Sequence, residues 1–157
     1  MAKDLQTVID GERMSARQWI AVAITICLNA LDGFDVLSSA FAGPGIKKEW
    51  NLGPDGLGAV LSMELIGMGV GSLVLGGMAD KYGRRPTILT CLVLMGIGMF
   101  GATTAHSPET LSAWRVLTGL GIGGMLAATN AVVFELSNLK WRSFALALMV
   151  IGYPLGA

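Results

Sequence analysis

The chain has 157 residues, of which 53% are hydrophobic and only 14% are charged. About a quarter of the residues of an ordinary soluble domain are charged, so this composition excludes that class of protein. The 11 basic and 11 acidic residues cancel, which gives no electrostatic reason to expect a nucleic-acid partner.

The first 18 residues are polar and are predicted to form a cytoplasmic arm. Four apolar stretches follow, at approximately residues 19–41, 57–78, 88–105 and 111–134. Each is long enough to cross a hydrocarbon core, which takes about 20 helical residues. A fifth, residues 144–157, is cut off by the end of the sequence and is too short to span. Residues 19–157 are therefore predicted to be an all-α, multi-pass domain in a lipid bilayer, because lipid leaves the backbone no partners outside a helix.

Basic residues fall mainly on one side of these spans, which indicates their orientation. The side of the N-terminus has Lys3, Arg13, Arg17, Lys81, Arg84, Arg85, Lys140 and Arg142, whereas the other side has Lys47, Lys48 and Arg115. The N-terminus is therefore predicted to be cytoplasmic, in the plasma membrane or the inner membrane of a bacterium. The connection at residues 43–56 is then the longest external loop.

Four ionisable residues lie within the predicted spans: Asp32, Asp35, Glu64 and Arg115. Such groups are costly in a membrane and usually mark the path of an ion or a substrate. The sequence shows no metal-ligand pattern, no nucleophile–base pair and no phosphate loop, so neither a metal site nor catalytic residues are predicted. We do not expect an enzyme.

Asp32 and Asp35 are three residues apart, so both carboxyl groups project from one helix face. Burial and mutual repulsion favour the neutral form, which a proton-carrying site requires. Gly33 between them allows a neighbouring helix or a ligand to come close. The alternative is a pair at the wet end of a helix, but Asp32 lies about 20 Å beyond Trp19 at 1.5 Å per residue.

Arg115 lies near the outer start of the fourth span, at the depth predicted for the Asp pair. Its planar guanidinium is suited to hold a carboxylate in a two-point fork. The alternative is an arginine that extends to the membrane surface from the helix start. Glu64 is either a second proton site or the structural partner of a basic group.

Residues 76–86 read GGMADKYGRRP, between the second and third spans. This run resembles the signature loop of the major facilitator superfamily, G-x-x-x-D-(R/K)-x-G-R-(R/K). Independently of the family, Gly83 permits a tight turn and Pro86 suits the first turn of a helix. The resemblance implies a role in gating the cytoplasmic side for Gly76, Asp80, Lys81, Gly83, Arg84 and Arg85.

Residues 115–124 read RVLTGLGIGG and resemble the fourth-helix pattern of the same superfamily, R-x-x-x-G-x-G-x-G-G. Gly119 and Gly123 belong to this pattern. Glu135 and Arg142 are similar to the acidic–basic pair of the following cytoplasmic loop. The run DGFD at 32–35 resembles the first helix of the aromatic acid:proton symporters, and GYPLGA at 152–157 is similar to their fifth helix.

Small residues four apart predict packing faces for helices in lipid. The pairs are Gly67 with Gly71, Ser72 with Gly76, and Gly119 with Gly123.

The resemblance implies the N-terminal part of a six-helix half in a transporter of about twelve helices. Our hypothesis is that Arg115 pairs with Asp32 or Asp35 until a proton neutralises the acid and frees the arginine for a small organic anion, such as an aromatic carboxylate. The proton is the coupling ion, and no other cofactor is expected. Without the C-terminal half, residues 1–157 are not expected to transport.

Other functions stay open from the sequence. The cargo of a major facilitator is alternatively a dicarboxylate, nicotinate, a sugar or an exported drug. The chain is alternatively a membrane fragment without transport activity, or a sensor or assembly factor that reuses the helical scaffold. Asp32 and Arg115 facing lipid or a protein partner would favour this last class.

Overall fold

A computed structural model describes residues 14–157, and all regular secondary structure in that range is helical. The five helices are α1 (Ala16–Glu49), α2 (Pro54–Tyr82), α3 (Arg84–Thr103), α4 (Pro108–Leu136) and α5 (Arg142–Gly156). Helices α1 to α4 are each long and apolar enough to cross a membrane, and α5 is a shorter apolar helix. This confirms the predicted fold class. Most of the predicted N-terminal arm, residues 1–13, lies outside the described residues.

Helix α1 is longer than its predicted span at both ends. It begins at Ala16 and continues to Glu49, with Pro44 inside it. The external loop predicted at residues 43–56 is thereby reduced to residues 50–53. A proline removes one backbone donor and need not end a helix when the turns on either side stay hydrogen-bonded.

The structure divides into two compact units. Of the described residues, the first unit contains 14–37 and 129–157, and the second contains Ser38–Ala128. The core of the first unit is formed by buried residues of α1, α4 and α5: Val22, Val133, Ala145 and Met149. Its helices approach closely, since a Cβ on Gly33 would collide with the carbonyl oxygen of Tyr153 in α5.

In the second unit, glycines bring α2 and α4 into backbone contact. A Cβ on Gly67 would collide with the carbonyl oxygen of Val116, and one on Gly71 with that of Leu120. In the other direction, Gly119 and Gly123 lie against the backbone of α2. The two predicted faces, at 67/71 and 119/123, are therefore confirmed as one shared contact.

The third predicted packing pair, Ser72 with Gly76, is wrong as a pair. Gly76 does face α4, where its Cβ would lie 3.1 Å from Ala127. Ser72 is exposed, and its hydroxyl donates to the carbonyl oxygen of Gly69 at 2.8 Å. The hydroxyl group is satisfied within its own helix, so nothing draws it into the contact.

Helix α3 packs against a different face of α4. A Cβ on Gly98 would meet Thr118, and one on Gly101 would meet the ring of Trp114. From α4, Gly121 lies against Cys91 and Met95. The glycine-rich run of α4 therefore serves two helix contacts, one on each side.

The surface of the described chain is rich in large apolar side chains, and its interior contains polar as well as apolar ones. Large apolar side chains are exposed, including Phe41, Leu73 and Phe100, each at 76% or more. Polar side chains are among the buried ones, including Asn29, Thr118 and Thr129. This distribution is the one expected of helices whose outer surface faces lipid.

Candidate functional site

Helix α1 has a stripe of buried polar side chains. Its members follow the helical repeat of three or four residues and are each exposed by 3% or less: Thr25, Asn29, Asp32, Asp35 and Ser39. In the first unit, Asn29 donates from Nδ2 to the carbonyl oxygen of Met149 at 3.4 Å. Buried polar groups on one face of a membrane helix mark the side that faces protein or water rather than lipid.

Asp32 is the most deeply buried acid of the stripe, at 0% exposure. Neither of its carboxylate oxygens has a hydrogen-bond partner among residues 14–157. Helix α5 lies directly beside it, because Gly33 is in contact with the backbone of Tyr153. Of the two predicted uses of Gly33, helix contact is therefore the one that the structure shows.

In the second unit, a guanidinium, a carboxylate and a hydroxyl form a buried cluster. Arg115 Nη1 lies 3.3 Å from Glu64 Oε2, and their side chains are 12% and 4% exposed. The same Nη1 donates to the hydroxyl of Ser39, which in turn lies 3.5 Å from Glu64 Oε2. Glu64 is thereby the partner of a basic group, one of the two roles predicted for it.

A close helix contact holds this cluster in place. The carbonyl oxygen of Glu64 is the group that a Cβ on Gly119 would strike, and Gly119 is one turn beyond Arg115 in α4. The glycine therefore brings the two backbones together at the level of the ion pair. In the fourth-helix pattern, the arginine is therefore one helical turn before the glycine that lets α2 approach it.

The structure thus joins Glu64 with Arg115, and it adds Ser39, which sequence analysis missed. Ser39 is four residues after Asp35 and seven after Asp32, so the helical repeat of the polar stripe was the signal for it. Asp32 and Asp35 belong to the first unit, and the predicted pairing of either with Arg115 stays a prediction. Within residues 14–157, no three metal-ligating side chains lie close enough to hold an ion.

The loop between α2 and α3 is a turn of one residue. Gly83 has φ 98° and ψ 159°, a conformation open essentially to glycine alone. Its carbonyl oxygen accepts a hydrogen bond from the hydroxyl of Thr87. Across this turn Asp80 and Arg84 form an ion pair of 2.7 Å, with Asp80 69% exposed. Lys81 lies over the ring of Tyr82, and Arg85 is exposed.

The turn between α4 and α5 contains the second predicted acidic–basic pair. Glu135 is exposed near the end of α4. Arg142 opens α5, lies 4.3 Å from the ring centre of Phe134 and donates from Nη2 to the carbonyl oxygen of Ser137. These contacts attach the start of α5 to the end of α4 within the first unit.

The sequence profile of the Major Facilitator Superfamily matches residues 22–157, which is most of the chain. The chain belongs to the major facilitator superfamily. The signature loop at 76–86 and the glycine-rich run of α4 both lie within the matched residues.

Curated relatives within the superfamily cover almost the whole chain. It is 31% identical over 153 residues to the 4-hydroxybenzoate transporter PcaK of Pseudomonas aeruginosa. It is 27% identical over 154 residues to the gallate transporter of Pseudomonas putida, and 29% over 158 residues to the benzoate transport protein of Acinetobacter baylyi. In each case 98% of the chain is matched, but this is only 34% of the length of the relative.

Proposed function

We propose that the chain is the N-terminal part of a secondary transporter that carries a small aromatic carboxylate into the cell together with protons. The observation that carries this proposal is the largely buried guanidinium of Arg115 in a membrane helix, where the side chain is only 12% exposed. A positive charge at such a position is costly and is typically retained for an ion or a substrate.

The substrate class follows from the chemistry of that charge. Arginine binds a carboxylate through two parallel hydrogen bonds, more strongly than it binds a neutral group. The relatives are named for 4-hydroxybenzoate, gallate and benzoate, which are all aromatic carboxylates. A sugar has no negative charge with which the guanidinium could pair, so a carboxylate is the better substrate for this site.

Proton coupling is assigned to the acids of α1. Asp32 is fully buried, and neither of its carboxylate oxygens is hydrogen-bonded to any of residues 14–157. Asp35 is three residues away on the same helix face. A proton bound at this pair offsets the negative charge of an arriving carboxylate. Release of both inside the cell completes uptake driven by the proton gradient.

The burial of Asp32 and Arg115 argues against a sensor or assembly factor, which would have these groups on a lipid or partner surface. The remaining helices of the transporter, including its C-terminal half, are proposed as the partner of this chain. The proposed location is the bacterial inner membrane with a cytoplasmic N-terminus, as the distribution of basic residues indicates.

The test uses the full-length transporter in proteoliposomes, with benzoate as substrate and a pH electrode outside. Benzoate addition should make the external solution more alkaline as protons enter with the anion. Asp32→Asn should abolish this change in pH, because an asparagine amide cannot take up and release a proton near neutral pH. Asp55→Asn, at an exposed acid near the start of α2, is the matched control and should behave as wild type. Transport by Asp32→Asn that still moves protons would refute the assignment.

A further inference from the structure

Among the described residues, the polar contacts of the Arg115 guanidinium lie at one of its three nitrogen atoms, Nη1. Both Glu64 and Ser39 contact Nη1. The Nε atom at the other side of the group is buried and donates to none of residues 14–157. A buried donor without an acceptor is costly, so its presence calls for an acceptor from outside the described residues.

The geometry of the guanidinium shows which ligand the Nε side of Arg115 can bind. Nε–H and one Nη2–H point in parallel along one edge, and this edge accepts both oxygens of a carboxylate in a fork. The contacts at Nη1 leave the hydrogen of Nε directed away from Glu64. An incoming carboxylate therefore has a docking edge that does not require Glu64 to leave.

We propose that Glu64 and Ser39 form a clamp on Nη1 that orients Arg115 and moderates its charge, so that the Nε edge is the docking point for the substrate carboxylate. This rests on the proposed function. Glu64 and Ser39 act through the guanidinium and are positioning residues.

The two members of the clamp contribute differently. Ser39 is neutral, and its hydroxyl lies within hydrogen-bonding distance of both charged groups, so it fixes geometry. Glu64 carries a negative charge 3.3 Å from the guanidinium and so weakens the attraction of Arg115 for any second anion. A transported ligand must be bound firmly enough to enter and weakly enough to leave, and Glu64 provides that limit.

The experiment measures benzoate uptake by the full-length transporter and its Glu64→Gln, Ser39→Ala and Ser39→Thr variants. Glutamine keeps the shape of Glu64 and removes its charge, so KM should fall about tenfold while the maximal rate also falls because release slows. Ser39→Ala should raise KM about threefold to tenfold through loss of the hydrogen bond. Ser39→Thr keeps the hydroxyl and should restore the wild-type KM.

A purely structural ion pair gives a different result. Glu64→Gln would then lower the folded amount and leave KM unchanged or raised, and either outcome overturns the proposal. If Glu64→Gln does not fold, the Ser39 pair decides alone, and equal KM values for Ala and Thr overturn it. Benzamide, a neutral analogue, should compete equally well against wild type and Glu64→Gln. Absence of uptake of benzoate, 4-hydroxybenzoate and gallate alike by the wild type would instead reject the proposed function itself.

Discussion

The turn between α2 and α3 depends on the backbone of Gly83, with φ 98° and ψ 159°. A side chain at these angles costs about 1–3 kcal/mol. Gly83→Ala should therefore lower the unfolding temperature of the full-length transporter in lipid nanodiscs by several degrees. Gly77→Ala, in the last part of α2, is the control. An added Cβ there would have no described atom within 4 Å beyond its own stretch of helix, so this change should leave the unfolding temperature unchanged or slightly raised, since alanine is the better helix former. Equal unfolding temperatures for the two variants would show that the turn relaxes freely.

Single residues also show how much of the site the sequence predicts. Asp32, Glu64 and Arg115 stand out because a charge in an apolar span is costly. Ser39 does not stand out, because a serine hydroxyl can bond to its own helix backbone and is inexpensive in lipid-facing positions. Only a neighbour from another part of the chain, the pair Arg115 and Glu64, gives Ser39 its role. The sequence thus predicted the charges of the cluster but not the neutral group that links them.

At the scale of the helices, glycine spacing predicted faces but not partners. Gly119 and Gly123 were expected on one face of α4, and the structure shows that the facing helix is α2. Gly121 belongs to the same glycine-rich run and contacts α3. Because it is two residues from both Gly119 and Gly123, it lies on another face of α4, and the four-residue spacing did not predict its contact. Helix length was also underestimated, because hydropathy falls at Lys47 and Lys48 while α1 continues to Glu49.

The contact of α2 with α4 can be tested by adding one methyl group. A Cβ on Gly123 would collide with the backbone of Met68, which has no room to move without separating the helices. Overpacking of this kind costs about 1–3 kcal/mol, so Gly123→Ala should unfold at a clearly lower temperature than wild type. Gly69→Ala, also in α2, is the control. An added Cβ there would have no described atom within 4 Å beyond its own stretch of helix, so the change should be neutral or slightly stabilising, since alanine is the better helix former. Equal unfolding temperatures for the two variants would mean that the contact of Gly123 with Met68 does not exclude a methyl group at position 123.

At the scale of the whole molecule, the exposed apolar side chains and buried polar ones make the described chain a membrane domain of its superfamily. Composition alone predicted this class, because burying charges is costly and lipid-facing surfaces must be apolar. The direction of insertion rests on the basic residues, which act before the helices pack. Orientation is therefore a property that experiments on the intact protein must assign.

Cysteine accessibility tests that orientation. Lys81 and His106 are exposed and lie at opposite ends of α3, so Lys81→Cys and His106→Cys should face opposite sides of the membrane. In intact cells a membrane-impermeant maleimide should label His106→Cys and not Lys81→Cys, whereas permeabilised cells should label both. The unmodified protein is the control, because Cys27 and Cys91 lie within the spans of α1 and α3 and should stay unlabelled. Labelling of Lys81→Cys alone in intact cells would show that the orientation is opposite to the proposed one. The signature loop would then lie outside the cell.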